Sequence, residues 1–390
     1  MLQSWRWFGP KDPISLTKIR QAGASGIVTA LHDVPVGEVW TRAAIAERKA
    51  LVEGAGMTWS VVESLPVPTA VRLAEPGYER YIERYIESLT NLGELGVKRI
   101  CYNFMPVIDW TRTDLEWRAP DGSIALRFES AAWVAFDVFL LQREGAEGEY
   151  DEGQLAAGRR HFDKLDASGR EQLIRTVAAG LPGANEDGYT LDGLRRELAR
   201  WQSVTPDVLR GRLIAFLAAV VPTCERYDMR LCIHPDDPPR PLLGLPRIAS
   251  CQMDFDALFE AVPSPSNGLT LCVGSLTAGR HNDASALVRH FAPRIHFAHL
   301  RSVLLEEDDS FVEADHLQGD ADLVDVAKVL VAEERRRKAS GLAHAEIPMR
   351  PDHGRVLEGD IGALPGYPWL GRLKALAELR GMLHAIEHLT

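Results

Sequence analysis

The chain has no uninterrupted apolar run of about 18 residues, so no membrane-spanning helix is expected. Its first residues, Met-Leu-Gln-Ser-Trp-Arg-Trp-Phe-Gly, lack the charged stretch, apolar stretch and cleavage site of a secretory signal, and no signal peptide is expected. Cysteine is scarce and odd in number: five, at 101, 224, 232, 251 and 272, mostly inside apolar runs. That usage fits reduced thiols in the cytoplasm rather than a disulfide framework. Positive charge is in deficit. With 44 Lys and Arg against 55 Asp and Glu, the formal charge of −11 argues against general nucleic-acid binding, which uses basic patches to neutralise phosphates. There is no internal repeat and no low-complexity tract.

What is present is a long alternation. The 390 residues, 46% of them hydrophobic, can bury a large core. Length alone suits two ordinary domains, but an α/β barrel with insertions uses such a chain as one. Strand-length apolar runs are predicted at Trp5–Phe8, Gly26–Leu31, Thr58–Val62, Arg99–Phe104, Met229–Ile233, Leu269–Cys272, Arg294–Ala298 and Glu346–Met349. Helical spacing is predicted at Ser15–Ala22, Glu38–Ala55, Tyr78–Leu95, Leu209–Tyr227 and Asp322–Ala339. Strand and helix in repeated succession argue for parallel βαβ units, and eight strands for a closed (β/α)8 TIM barrel. Residues 143–203 break the rhythm. They are polar and charged, with a Gly-Leu-Pro-Gly turn at Gly180–Gly183 and helices predicted at Glu152–Leu165, Gly169–Ala179 and Leu191–Trp201. We read them as a helical subdomain inserted between barrel strands four and five of a single domain spanning 1–390.

Four of the strand-like runs close on a residue able to bind metal: His234, Cys272, His299 and Asp352. In a barrel, strand C-termini converge on one face, so these four would meet at the ends of strands five to eight. Their separations of 38, 27 and 53 positions exclude a zinc finger, which uses close pairs. Imidazole, thiolate and carboxylate together suit Mn²⁺, Fe²⁺ or Zn²⁺. A catalytic ion with four protein ligands still needs open positions, which favours Mn²⁺ or Fe²⁺ over tetrahedral Zn²⁺. Cys232 and His296 are competing donors, but strand alternation puts both in the barrel wall. Arg301 and Arg350 adjoin the ligands and could grip an anionic group, or pair with acids such as Asp236 and Asp237. Trp7, His32 and Asn103, near the ends of strands one, two and four, are candidates for substrate hydroxyls, with core packing the alternative for Trp7.

Longer motifs surround these positions. They are residues 6–16, Arg-Trp-Phe-Gly-Pro-Lys-Asp-Pro-Ile-Ser-Leu, and residues 19–32, ending Val-Thr-Ala-Leu-His. Further along stand Cys-Tyr-Asn-Phe-Met-Pro-Val-Ile-Asp-Trp-Thr-Arg-Thr (101–113), His-Pro-Asp-Asp-Pro-Pro (234–239), Leu-Cys-Val-Gly-Ser (271–275), His-Phe-Ala-His-Leu-Arg (296–301) and Met-Arg-Pro-Asp-His-Gly (349–354). In this order they closely resemble the D-mannonate dehydratase family. The resemblance extends through the insertion and on to Gly-Tyr-Pro-Trp-Leu-Gly-Arg (366–372). It implies a xylose-isomerase-like barrel, a divalent ion, Mn²⁺ or Fe²⁺, and dehydration of D-mannonate to 2-keto-3-deoxy-D-gluconate in hexuronate breakdown. It implies His234, Cys272, His299 and Asp352 as ligands and His353 and Tyr367 as the acid/base pair, with the assignment between the two left open. Two positions depart from the family pattern: Leu364 where Asn is usual, and Ser302 where Asn is more common. A small sugar acid is the expected partner of a homo-oligomer, dimer or tetramer. An aldose–ketose isomerase would use more carboxylate ligands than Asp352 alone, and a non-catalytic sugar-acid binder would not need His353 and Tyr367.

Overall fold

The computed structural model of the chain describes residues 1–178, 190–360 and 364–389. The predicted Gly180–Gly183 turn lies outside them. Within them the chain builds β1 (Leu2–Arg6), β2 (Gly26–Thr29), β3 (Thr58–Glu63), β4 (Arg99–Tyr102), β5 (Asp114–Arg118), β6 (Ile124–Phe128), β7 (Arg230–Ile233), β8 (Asn267–Cys272), β9 (Ile295–His299), β10 (Val303–Leu305), β11 (Phe311–Glu313) and β12 (Pro348–Arg350). Eight of them close a parallel barrel in the order β1-β12-β9-β8-β7-β4-β3-β2. All eight predicted barrel strands are therefore present. The first is displaced from Trp5–Phe8 to Leu2–Arg6, because its pairing with β12 already begins at Leu2 opposite Pro348.

Helices cover the barrel where apolar spacing and caps coincide. Thr205 accepts a hydrogen bond from Val208 N, Pro206 supplies a first-turn residue that needs no donor, and Pro206–Arg226 follows. Its buried face, including Leu209, Leu213, Phe216, Leu217 and Val220, packs on the sheet. Ser15 and Thr41 cap Leu16–Gln21 and Arg42–Gly54 in the same way. Inside the barrel, Val28, Val61, Cys101, Cys232 and Phe297 form a separate buried cluster. This plug of side chains fills the lumen, as a barrel of eight strands requires.

The insertion carries helices Glu152–Lys164, Ala167–Ala178 and Leu191–Trp201. An unforeseen element lies at the barrel mouth. β5 and β6, from the loop after β4, join β10 and β11, from the loop after β9, in one antiparallel sheet of order β10-β11-β6-β5. Each of these strands is three to five residues long. Runs this short carry too little periodicity to be read, and the β6–β11 pairing joins segments far apart in the chain. Among the described residues no helix is long and apolar enough to cross a membrane, and all five cysteines are free.

Candidate metal centre and active site

The site follows from strand periodicity. Successive side chains alternate between faces, so the inward residue above each lumen-filling residue lies two positions on. Above Cys101, Cys232, Phe297 and Val61 stand Asn103, His234, His299 and Glu63, at the C-terminal rim. Above Thr270, whose hydroxyl reaches Cys101 Sγ across the lumen at 3.3 Å, stands Cys272.

One ligand atom from each of His234, Cys272 and His299 lies within 4.8 Å of the others. Asp352 adjoins them, its Oδ2 3.7 Å from both Cys272 Sγ and His299 Nδ1. The tautomer of His234 can be read from its partner. His234 Nδ1 lies 2.7 Å from the carbonyl of Pro235, which only accepts, so Nδ1 carries the proton. His299 Nε2 lies 3.5 Å from Glu63 Oε1 without a hydrogen bond. The remaining nitrogens, His234 Nε2 and His299 Nδ1, face each other at 3.3 Å. With the proton of His299 on Nε2, the two lone pairs converge on one point where a cation would fit; with it on Nδ1, the two rings share a hydrogen bond. Carboxylate or carbonyl partners on the far ring nitrogen are the usual support of metal-binding histidines. The donor set thus fits a divalent ion. Cys232 is 0% exposed in the lumen plug below, and His296 faces the wall, its Nε2 3.1 Å from Pro265 O.

Asp352 occupies the left-handed region, φ 70°, which is unfavourable for a residue with a Cβ. Burial opposes its charge, but Arg350 beside it, helped by the nearby histidines and Arg301, holds it well below the usual carboxylate range. Arg350 Nη1 is 2.6 Å from Asp352 Oδ1, and its other donors meet Glu63 at 2.7 and 3.1 Å. Arg301 Nη2 is 2.7 Å from Asp237, and Nη1 is 3.3 Å from Asp352. Both arginines therefore brace acids at the mouth. Gly274 permits this, since a Cβ there would stand 2.3 Å from Arg301 Nε.

His353 lies above the ligands. Its ring stacks on Trp110 at 4.7 Å and meets Tyr367 edge-on at 5.1 Å. Its Nδ1 is 2.7 and 2.8 Å from the two oxygens of Glu313. Tyr367 is buried against Phe8, edge-on at 4.9 Å, on a loop that turns at Gly366, φ 77°. Burial pushes its phenol up to about 12, against the pull of Arg6 and Arg350.

A cavity of about 50 Å³ is lined by Arg6, Glu63, Asn103, Trp110, His234, Asp237, Arg301, Arg350, Asp352, His353 and Tyr367, among others. Asn103 presents a buried side-chain oxygen with no partner. Trp7 and His32 do not line this cavity. Trp7 is 4% exposed in the main core beneath Arg48, and His32 lies outside the cavity against Phe8, ring centroids 5.7 Å apart. Sequence reasoning missed Arg6, Glu63, Trp110 and Glu313, and named Asp237 only as a partner for the arginines. Strand alternation above Val61 could have found Glu63. Glu313 gave no local signal, because it arrives on the unforeseen sheet. Ser302, the departure from the usual Asn, is buried with its hydroxyl unpartnered, against Gly319.

A parallel (β/α)8 barrel that gathers imidazole, thiolate and carboxylate donors beside a buried His–Tyr pair defines the class, a metal-dependent barrel enzyme. The D-mannonate dehydratase (UxuA) family profile matches residues 1–390. The chain is 52% identical to a mannonate dehydratase of Chromohalobacter salexigens over 100% of both sequences. It is 48% identical to one of Saccharophagus degradans, over 99% of this chain and 98% of that one. A solved mannonate dehydratase from Streptococcus suis serotype 2 superposes with a TM-score of 0.76 at 32% identity, covering 100% of this chain and 94% of that one. The chain belongs to the D-mannonate dehydratase family of hydro-lyases.

Proposed function

We propose that the protein dehydrates D-mannonate to 2-keto-3-deoxy-D-gluconate in hexuronate breakdown, using Mn²⁺ or Fe²⁺ held by His234, Cys272, His299 and Asp352. The observation that carries this reading is the pair of facing imidazole nitrogens, His234 Nε2 and His299 Nδ1, 3.3 Å apart, beside Cys272 and Asp352. Four donors of mixed softness, with positions left open for substrate, favour Mn²⁺ or Fe²⁺ over tetrahedral Zn²⁺. When bound, the ion would stabilise the negative charge that builds beside the substrate carboxylate as the C2 proton leaves.

The protein's own groups do the rest. Arg6, Arg301 and Arg350 give the cavity a cationic lining for the sugar-acid carboxylate. Asn103 offers its unpartnered oxygen to a substrate hydroxyl. His353 Nε2, with Nδ1 committed to Glu313, takes the C2 proton. Tyr367, protonated at neutral pH because burial raises it, gives its proton to the C3 hydroxyl, which leaves as water. The C2–C3 enol that results tautomerises to the 2-keto acid. Each acid or base group typically contributes about 10²- to 10⁴-fold.

On the same reading the enzyme is cytoplasmic, in keeping with its five free thiols, and forms a homo-oligomer, dimer or tetramer. The deciding assay is incubation of Mn²⁺-loaded protein with D-mannonate and detection of a 2-keto-3-deoxy acid. An isomerised aldose in its place would overturn the reading, and tight binding without turnover would make the protein a sugar-acid binder.

A further inference from the structure

Glu313 reaches His353, which lines the cavity, from a part of the fold that holds none of the candidate metal ligands. It ends β11, in the four-stranded sheet at the mouth, and is 5% exposed. Both of its oxygens lie within 2.8 Å of His353 Nδ1. Behind it stands Arg112, fully buried, whose Nη2 is 2.9 Å from Glu313 Oε1. The same guanidinium holds Asp237 at 2.9 and 3.2 Å, and Asp237 in turn holds Arg301 at 2.7 Å. Two residues before Arg112, Trp110 covers one face of the His353 ring. The ring is thus gripped at an edge and over a face by groups from two separate loops, whose strands β6 and β11 pair.

An ionised carboxylate accepts hydrogen bonds and cannot donate them. Glu313, at 2.7 and 2.8 Å, is closer to Nδ1 than the competing donor Arg301 Nη1 at 3.4 Å, so a neutral His353 paired with it carries its proton on Nδ1 and leaves the Nε2 lone pair for the reacting proton. We infer that Glu313 is a positioning residue that locks His353 in this tautomer and orientation, with Arg112 and the small sheet as its brace. The inference rests on the acid/base reading of His353 given above. An acid that orients a catalytic imidazole through its other nitrogen is a general device. Here it accounts for why two loops combine into a sheet at the barrel mouth.

The isosteric change Glu313→Gln tests it, because an amide can turn its NH₂ toward Nδ1. In ¹⁵N-histidine-labelled protein loaded with diamagnetic Zn²⁺, long-range ¹H–¹⁵N correlation reads which ring nitrogen bears the proton. The His353 signals are assigned by their loss in His353→Asn. Wild type should carry the proton on Nδ1, and Glu313→Gln should move population to Nε2. With Mn²⁺ and D-mannonate, kcat should fall about 10²- to 10³-fold while KM stays within about threefold. Bound metal should be unchanged, and Glu313→Asp should recover part of kcat. Should Glu313→Gln fail to fold, Glu313→Asp takes its place in both measurements, with a smaller loss expected. A wild-type proton on Nε2, an unchanged kcat, or a loss that tracks lost metal would overturn the inference. If wild type turns over no D-mannonate, the dehydratase reading fails, and the tautomer measurement still decides the role of Glu313.

Discussion

Replacing Gly274 by Ala adds one methyl group in the short helix Val273–Thr277 after β8, and the structure states what it would meet. The new Cβ would stand 2.3 Å from Arg301 Nε, 3.0 Å from its Cγ and 3.1 Å from its Cδ. Ordinary contacts between heavy atoms lie at roughly 3.5–4.0 Å, so the side chain must move by about 1 Å or the helix must open. Arg301 is only 2% exposed and has no room to swing aside. Its guanidinium holds Asp237 at 2.7 Å and Asp352 at 3.3 Å, and a shift of that size breaks at least one of these contacts. Breaking a buried ion pair costs about 3–5 kcal/mol, and overpacking alone about 1–3 kcal/mol. Gly274→Ala should therefore destabilise by about 3–5 kcal/mol. Because Asp352 loses a brace, metal affinity should fall by about 10- to 100-fold, the usual effect of disturbing the partners of ligands. Gly211→Ala is the control. It lies within the helix Pro206–Arg226, a Cβ there meets nothing within 4 Å, and it should gain about 0.5–1 kcal/mol. The urea unfolding midpoint and metal titration read both. A Gly274→Ala protein with wild-type midpoint and metal affinity would refute the packing argument.

Other outcomes are equally direct. Cys272→Ala should lose metal by elemental analysis of protein purified without added ions, and full retention would remove Cys272 from the ligand set. Tyr367→Phe should keep its packing on Phe8 and His353 and its unfolding midpoint, while kcat falls by about 10²- to 10⁴-fold. An active Tyr367→Phe enzyme would rule out the phenol as proton donor. Acid stability should depend on Glu313. Burial works against its charge, yet His353 and Arg301 beside it bring it down to about 2. A carboxylate lowered on folding contributes stability that is complete above its unfolded value of about 4.3 and is lost as pH falls through the folded value. Glu313→Gln should therefore show a flatter loss of folded signal by circular dichroism between about pH 4.3 and 2 than wild type. Parallel curves would mean that Glu313 gains nothing from its partners.

Much of this protein could be read from its sequence because the signals were local. Strand runs repeated along the chain specify a barrel. The period of two along each strand specifies which side chains enter the lumen, and a barrel brings every strand C-terminus to one rim. His234, Cys272 and His299 needed no more than that to be placed together, and the resemblance of the motif around Asp352 and His353 to the family supplied the proposal of an acid/base partner. Tertiary structure decided the rest, because those features depend on contacts between distant segments. The sheet built from the loops after β4 and β9 exists only once both loops meet, and Glu313, at its end, joins His353 to Arg112. Arg301 and Arg350 read either as grips for an anion or as partners of acids such as Asp236 and Asp237, and folding chose the acids: Asp237 for Arg301, and Glu63 and Asp352 for Arg350. Trp7 read either as a candidate for substrate hydroxyls or as core packing, and folding chose the second: Arg6 lines the cavity and Trp7 lies in the core. A shift of one residue in a strand exchanges its two faces. Side-chain order along the chain is therefore written in the sequence, and which face meets the substrate is settled only by pairing.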